Sequence, residues 1–153
     1  GYPSLFRLLE LERASELHIA GRLDADTTGL LLLTDDGDWS HKITHPKSGV
    51  EKGYRVTTQQ PITAEMIAAL EKGVKLHGEE ALTLPAKVEQ LEEQVIELVI
   101  TEGRYHQVKR MLAAVGNRVV ALHRYQVGNI TLEGLNEGEY RPLTVREQEE
   151  IVQ

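Results

Sequence analysis

Two hydrophobic periods alternate along this chain, and each period predicts one kind of element. Apolar residues spaced three or four apart predict helices, whereas alternation or a short apolar run predicts a strand. The predicted helices cover 4–14, 36–43 and 105–115, with one more after a Thr63 cap and a last one after a capping box at Thr144. The predicted strands cover 17–20, 30–34, 52–59, 83–91, 94–101, 118–127 and 129–132.

The order of these elements predicts the fold class. Strands and helices are mixed but do not alternate regularly, and 83–101 predicts a hairpin that turns at 92–94. We therefore expect one α+β domain over 1–153, with a mixed, largely antiparallel sheet flanked by helices. The chain opens on Gly1-Tyr2-Pro3 without an initiator Met, and we expect it to be part of a longer protein.

Composition narrows the chemistry. The chain has no cysteine, which excludes disulfides and thiolate metal sites and fits an intracellular setting. It contains neither a signal peptide nor an apolar run of about 18 residues, so we expect a soluble, cytoplasmic protein without a membrane segment.

The charge is unevenly distributed. The net charge is −7, yet residues 39–60 hold four Lys or Arg against one Glu, and residues 101–128 hold five against one Glu. Two basic segments on an acidic body predict a face that binds a polyanion, although ordinary solvated surfaces would give the same pattern.

A carboxylate in an unusual setting is the first candidate for chemistry. Asp24 lies two residues after Arg22 and just before a Thr-Thr-Gly turn, which leads into four consecutive leucines. A carboxylate held in a tight loop beside a cation can act as a nucleophile or a general base. A purely structural ion pair is the alternative interpretation.

Two patterns bear a weak likeness to metal sites. Asp24, Asp26 and Thr28 follow the spacing of an EF-hand calcium loop, but its last position is Asp35 instead of Glu, and leucines fill its second half. His41 and His45 are four residues apart, but no third ligand is evident. We therefore expect no metal site.

Two further segments combine basic and aromatic residues. At the junction of a loop and a helix, 103–110 presents free backbone N–H groups, and His106, Lys109 and Arg110 are expected to share one face as a phosphate or carboxylate clamp. A basic surface helix is the alternative. In 51–56, the Tyr54 ring is either a platform for a base or a half-buried packing residue.

Together these segments resemble a known family. Gly21-Arg22-Leu23-Asp24 with 28–37, Glu51-Lys52-Gly53-Tyr54-Arg55-Val56 and 102–111 are similar to the three motifs of the RsuA/RluA-type pseudouridine synthases, and 138–144 is similar to their C-terminal strand. Residues 39–41 and 105–110 are closest to the RsuA-type branch, which acts on small-subunit (16S) ribosomal RNA. The family's S4-type RNA-binding domain and its Lys-Pro-x-Gly strand have no counterpart in this sequence, and we expect both to precede Gly1.

The resemblance implies the pseudouridine synthase catalytic fold and a role for each motif residue. Asp24 is the catalytic carboxylate that acts at the ribose of a flipped uridine, Tyr54 stacks on the base, and Lys109 pairs with Asp24 and keeps it ionised. Ile100 packs beneath the base, and Arg22 fills the gap that the uridine leaves. Further RNA contacts are implied for Arg104, His106, Gln107 and Arg110. The implied enzyme is a monomer that isomerises one uridine of 16S ribosomal RNA without a cofactor.

Other functions stay open at this point. A large-subunit ribosomal RNA site would need the same catalytic motifs, and a non-catalytic RNA-binding module would share the basic segments without needing Asp24. A glycoside hydrolase could use Asp24 with Asp35 or Asp36 as a carboxylate pair. That alternative predicts a tryptophan-rich groove, and the chain has a single Trp.

Overall fold

A computed structural model of the protein describes residues 17–21, 23–45 and 47–152. The strands in these ranges are β1 (His18–Ala20), β2 (Thr28–Gly29), β3 (Leu32–Thr34), β4 (Lys52–Thr58), β5 (Lys87–Glu92), β6 (Val95–Ile100), β7 (Val119–Val127) and β8 (Ile130–Thr131). The helices are α1 (Gly37–Thr44), α2 (Ala64–Lys72), α3 (Gln107–Ala114) and α4 (Val145–Glu150). Within the same ranges, each helix is too short or too polar to cross a bilayer.

Most of the strands form one sheet in the order β2-β7-β4-β6-β5, and β8 pairs with β7. The central strand β4 is antiparallel to both of its neighbours, and β2 joins β7 in parallel. β1 and β3 pair antiparallel in a separate two-stranded sheet. The predicted α+β class with a mixed, largely antiparallel sheet is therefore confirmed.

Two apolar clusters hold these layers together. In the larger cluster, one face of β4 and β6 packs against α2 and α3, and its fully buried members include Val56, Ile96, Leu98, Leu70, Met111 and Leu112. The smaller cluster joins β1, β3, α1, β8 and the end of α4 through Ala20, Leu32, Ile43, Ile130 and Ile151. Alternation along the strands and the three-to-four spacing along the helices direct these side chains inward.

The predicted helix starts rest on side-chain caps. Asp36 accepts hydrogen bonds from the first turn of α1, and Thr63 accepts one from Met66 N at the start of α2. The predicted capping box forms between Thr144 and Glu147 at the start of α4. These caps satisfy backbone donors that a helix leaves free at its beginning.

Three boundaries differ from the prediction for local reasons. The predicted strand 30–34 begins only at Leu32 as β3, since both backbone groups of Leu30 are hydrogen-bonded to Arg124, and a short strand that was not predicted, β2, precedes it at Thr28–Gly29. The predicted strand 83–91 starts only at Lys87, since Thr83 is hydrogen-bonded to Val74 instead of a neighbouring strand. The predicted helix 105–115 starts at Gln107, because His106 is left-handed. The predicted helix 4–14 lies outside the described residues.

Candidate active site

A cavity of about 470 Å³ lies beside the larger apolar cluster, whose Ile100, Val108 and Leu122 line it. Its wall combines Gly21, the turn at 23–27, α1, the starts of β4 and α3, the end of β6 and the middle of β7. It contains Asp24, Tyr54, Ile100 and Lys109, which the sequence places up to 85 positions apart. Such a volume is typical of a site for a small molecule or a single nucleotide.

Asp24 stands at the edge of this cavity with a basic group on each carboxylate oxygen. Its backbone carbonyl accepts a hydrogen bond from Thr27 N at 2.9 Å, which closes the tight turn predicted there. Oδ1 lies 3.2 Å from His106 Nε2, and Oδ2 lies 3.6 Å from Lys109 Nζ. The side chain is 34% exposed. The carboxylate is thus oriented by α3 and still accessible to a ligand.

Lys109 bridges two carboxylates. Besides Asp24, its ammonium donates to both oxygens of Asp26, at 2.8 and 3.0 Å. This hydrogen bond raises the pKa of Lys109 and lowers the pKa of Asp26, so both groups stay charged near neutral pH. The expected pair of Lys109 with Asp24 is present, but Asp26 is the closer partner. Sequence reasoning weighed Asp26 only as a calcium ligand.

His106 owes its position to an uncommon backbone conformation. Its φ of 47° places it in the left-handed region directly before α3. The imidazole stacks on the Tyr105 ring with the ring centroids 3.9 Å apart, and Nε2 faces Asp24. A left-handed residue other than glycine costs about 1 kcal/mol, which the surrounding contacts have to offset.

Tyr54 and Ile100 form the apolar part of the cavity wall. Tyr54 is half-buried in β4 and packs on the larger cluster, and Ile100 is 3% exposed at the end of β6. Both roles that the resemblance assigns to them, stacking on a base and packing beneath it, need an apolar surface beside the carboxylate. The cavity provides that surface, while the roles themselves stay predictions.

Comparison with known proteins decides the family. Residues 3–114 match the profile of the RNA pseudouridylate synthase family. The chain belongs to this family.

Curated relatives give the likeness in more detail. The chain is 54% identical over 152 residues to the ribosomal small subunit pseudouridine synthase A of Haemophilus influenzae, covering 99% of this chain and 66% of the relative. It is 52% identical to the protein of that name from Escherichia coli K12, with the same coverage. The chain therefore spans about two-thirds of the length of these relatives.

Solved structures agree with the fold. A crystal structure of a pseudouridylate synthase superposes with a TM-score of 0.92 at 53% identity and covers 99% of this chain and 66% of that one. An H/ACA ribonucleoprotein bound to a substrate RNA superposes with a TM-score of 0.55 at 16% identity, covering 86% of this chain and 43% of that one. The second likeness concerns the fold alone.

Three of the predicted RNA contacts, Arg104, Gln107 and Arg110, are hydrogen-bonded to other groups of this pseudouridine synthase domain. Arg104 donates to Glu102 Oε2 at 3.1 Å and to the carbonyls of Ala81 and Leu82 at 2.9 and 2.7 Å. Gln107 is buried, and its Nε2 donates to Glu102 Oε1 at 2.9 Å. In the described structure these groups hold the 79–84 loop against the start of α3.

Arg110 does not reach the cavity that holds Asp24. Its guanidinium donates to His77 O at 2.9 Å and Tyr105 O at 3.0 Å, and it lies 3.3 Å from Glu79. The predicted common face on α3 therefore applies to His106 and Lys109 but not to Arg110. Arg22, the remaining predicted contact, lies outside the described residues.

Arg104→Ala should destabilise the domain by about 2–3 kcal/mol, because Glu102 would keep a buried charge without its cationic partner. The comparison is Arg118→Ala, which removes an exposed guanidinium and should change stability by less than about 0.5 kcal/mol. Urea unfolding of both variants measures the difference. Equal midpoints would mean that the buried Arg104–Glu102 pair adds nothing to stability.

Sequence reasoning missed two buried cations in the cavity wall. Arg124 is 3% exposed and donates to Leu30 O and Gly21 O, so it ties both ends of the Asp24 loop to β7. Lys52 is 7% exposed and lies on β4 two residues before Tyr54. The alternation of the strand could have indicated Lys52, because residues two apart, such as Lys52 and Tyr54, lie on the same face.

The stability of the protein should depend on the titration of Lys52. Burial, together with the nearby charge of Arg124, lowers the pKa of Lys52 below its ordinary value of 10.5. Between the lowered pKa and 10.5, the unfolded chain binds more protons, so the free energy of unfolding rises with pH in that window.

Lys52→Met removes this contribution and also removes a buried charge, so the variant should be at least as stable as the wild type at neutral pH. The difference in the free energy of unfolding between the variant and the wild type should decrease as the pH rises from the lowered pKa of Lys52 toward 10.5. Urea midpoints of both proteins from about pH 7 to about pH 10 check this expectation. A gap that stays constant over that range would contradict it.

Groups suited to metal binding are few around this cavity. Among the described residues, no three His, Cys, Asp or Glu side chains come together in a way that could hold a metal ion. His41 and His45 contact each other edge to face, with ring centroids 5.2 Å apart.

Proposed function

We propose that this chain is the catalytic part of an enzyme that isomerises a specific uridine of small-subunit (16S) ribosomal RNA to pseudouridine. The relatives at 52–55% identity carry that specificity in their names. The observation that carries the proposal is the Asp24 carboxylate, held by His106 and Lys109 beside a cavity lined by Tyr54 and Ile100.

The reaction needs what this cavity contains. The bond between ribose C1′ and uracil N1 breaks, the ring turns, and a bond from C5 to C1′ forms while C5 loses a proton and N1 gains one. Nothing is oxidised or hydrolysed, so no co-reactant is required. Asp24 either attacks C1′ or removes a ribose proton, and both roles need a charged, oriented carboxylate within reach of the sugar.

The target uridine has to leave its stack to reach Asp24. Flipping costs a few kcal/mol, which stacking on Tyr54 and contacts with flanking phosphates offset. Arg22, Arg104, His106, Gln107 and Arg110 are the proposed RNA contacts. Of the three arginines, Arg104 and Arg110 would have to exchange internal acceptors for RNA.

We also propose that the enzyme acts as a monomer in the cytoplasm. Asp24, its two basic partners and the apolar wall of Tyr54 and Ile100 meet within a single copy of the chain, so the site does not require a second copy. Ribosomal RNA, the substrate named for the relatives, is a cytoplasmic partner in bacteria, and binding it involves no membrane.

Tritium release tests the proposal directly, because C5 of the target must lose its hydrogen. The full-length protein is incubated with [5-³H]uridine-labelled 16S or 23S ribosomal RNA, and released tritium is counted. We expect about one equivalent from 16S RNA and none from 23S RNA. Release from 23S RNA alone would favour a large-subunit site, and RNA binding without release would favour a binding module.

A further inference from the structure

We propose that Lys52 donates a hydrogen bond to a carbonyl oxygen of the flipped uracil and stabilises the negative charge that the ring gains when its bond to ribose breaks. This inference rests on the proposed function, since it assigns a role within that reaction.

The Lys52 side chain is buried in the wall that Asp24 and Tyr54 also line. The residue is 7% exposed, and its Nζ has no hydrogen-bond partner among the described residues. Nζ passes close to the backbone of Gly103, where a Cβ would stand only 3.6 Å away. Gly103 also lines the cavity, and its missing side chain leaves that side of the ammonium open.

No carboxylate neutralises this ammonium in the described structure. Glu102, an acidic residue of the same wall, is occupied by three donors within 3.1 Å. Arg124, which carries the same positive charge as Lys52 and repels it, is itself buried. A buried cation without an acceptor is costly, and most buried polar groups have a partner. An electron-rich ligand in the cavity would supply the missing acceptor.

The position of Lys52 favours the base over a phosphate as that ligand. Lys52 and Tyr54 leave the same face of β4 about 7 Å apart, so a ring stacked on Tyr54 brings its edge toward the ammonium. In the strand register Lys52 lies opposite Ile100, the other apolar wall. The phosphates of a flipped nucleotide stay with the RNA backbone outside the cavity.

The chemistry gives this contact a catalytic value. When the C1′–N1 bond breaks, its electron pair stays on the ring and spreads from N1 to the carbonyl oxygens. Lys52 keeps its proton throughout and binds the charged ring more tightly than the neutral base. An interaction that strengthens as charge develops lowers the barrier instead of only tightening binding.

Lys52→Met in the full-length protein tests the proposal, because it retains length and removes charge. We expect the single-turnover rate of tritium release from 16S RNA to fall about 10²-fold or more, with RNA affinity within about threefold of wild type. Lys72→Met, the same change on an exposed residue of α2, should match the wild type in both measurements.

A substrate with 5-fluorouridine at the target position separates charge stabilisation from a structural role. Fluorine withdraws electrons and makes the ring a better leaving group. The ratio of the wild-type rate to the Lys52→Met rate should therefore be smaller on this substrate than on uridine, by about tenfold or more. On this substrate C5 keeps its fluorine, so the rearranged ring takes up water across its N1–C6 bond, and the hydrated nucleoside is measured by mass spectrometry after nuclease digestion. If Lys52→Met does not fold, Lys52→Gln, which keeps a donor without the charge, replaces it.

Each other result overturns the inference. Equal tritium release by wild type and variant would remove Lys52 from the reaction. Weaker RNA binding with an unchanged rate in the bound complex would assign Lys52 to a phosphate, and an equal loss on both substrates would assign it to positioning. An inactive wild type would instead overturn the proposed function, and this inference with it.

Discussion

Asp24→Asn is expected to lower tritium release from 16S ribosomal RNA by about 10⁴-fold or more, while RNA affinity stays within about threefold. The amide has the size of the carboxylate, so it fits between His106 and Lys109. It cannot attack C1′ or accept a proton from the ribose. The loss should therefore fall on the chemical step, and single-turnover rates together with filter binding of the labelled RNA would show this.

Asp26→Asn is the matched control, since it removes the same charge two residues away. Its carboxylate is 69% exposed, binds Lys109 and does not line the cavity. We expect a reduction of about tenfold, because Lys109 would lose its closer partner and hold Asp24 less firmly. A variant at position 24 that keeps more than about 1% of wild-type release would show that Asp24 is not the catalytic carboxylate. An equal loss in both variants would assign the effect to local charge.

The central strands could be predicted from the sequence because their local pattern agrees with their place in the sheet. β4 and β6 each have one buried face, and alternation marks that face clearly. Helix caps such as Thr63 and Thr144 were equally readable, since a cap and its donors lie within three residues. The late start of β3 at Leu32 was not predictable, because the run of four leucines suits a strand throughout and the hydrogen bonds of Leu30 go to Arg124, 94 positions away.

Only those residues of the site that lie in the three sequence motifs could be predicted. Asp24, Tyr54 and Lys109 could be named from their segments, but the bond from Lys109 to Asp26 joins residues 83 positions apart. Without the fold, no property of Asp26 distinguishes it from any exposed acid. Long-range pairs of this kind decide which charges are neutralised, and a local pattern does not contain them.

The basic segments show the same difficulty for electrostatics. Their charge predicted one polyanion-binding face, yet Lys52 and Arg124 are buried in the cavity wall, and Arg104 and Arg110 contact Glu79. The positive charge of these segments therefore lies partly inside the molecule. What faces the ligand is a small cavity with concentrated charge, which suits one flipped nucleotide better than a long stretch of duplex.

Gly29→Ala should destabilise the protein by about 3 kcal/mol or more, the largest effect on folding that we expect of a single methyl group. Gly29 has a φ of 120°, and an added Cβ would overlap the Arg124 carbonyl oxygen and lie 2.7 Å from its nitrogen. Both are backbone atoms of β7, so relief requires opening the β2–β7 pairing. That pairing and the Arg124 side chain hold the Asp24 loop, so activity should fall with stability.

Gly37→Ala is the matched control for this variant. Gly37 is the first residue of α1, has no atom within 4 Å of an added Cβ, and does not have a positive φ. Alanine there should leave stability unchanged or raise it by up to about 0.5 kcal/mol. Thermal unfolding of the two variants compares one methyl group at two glycines eight positions apart. If both melt like the wild type, the β2–β7 pairing does not anchor the loop, and the Arg124 side chain and the contacts with His106 and Lys109 must hold Asp24 in place.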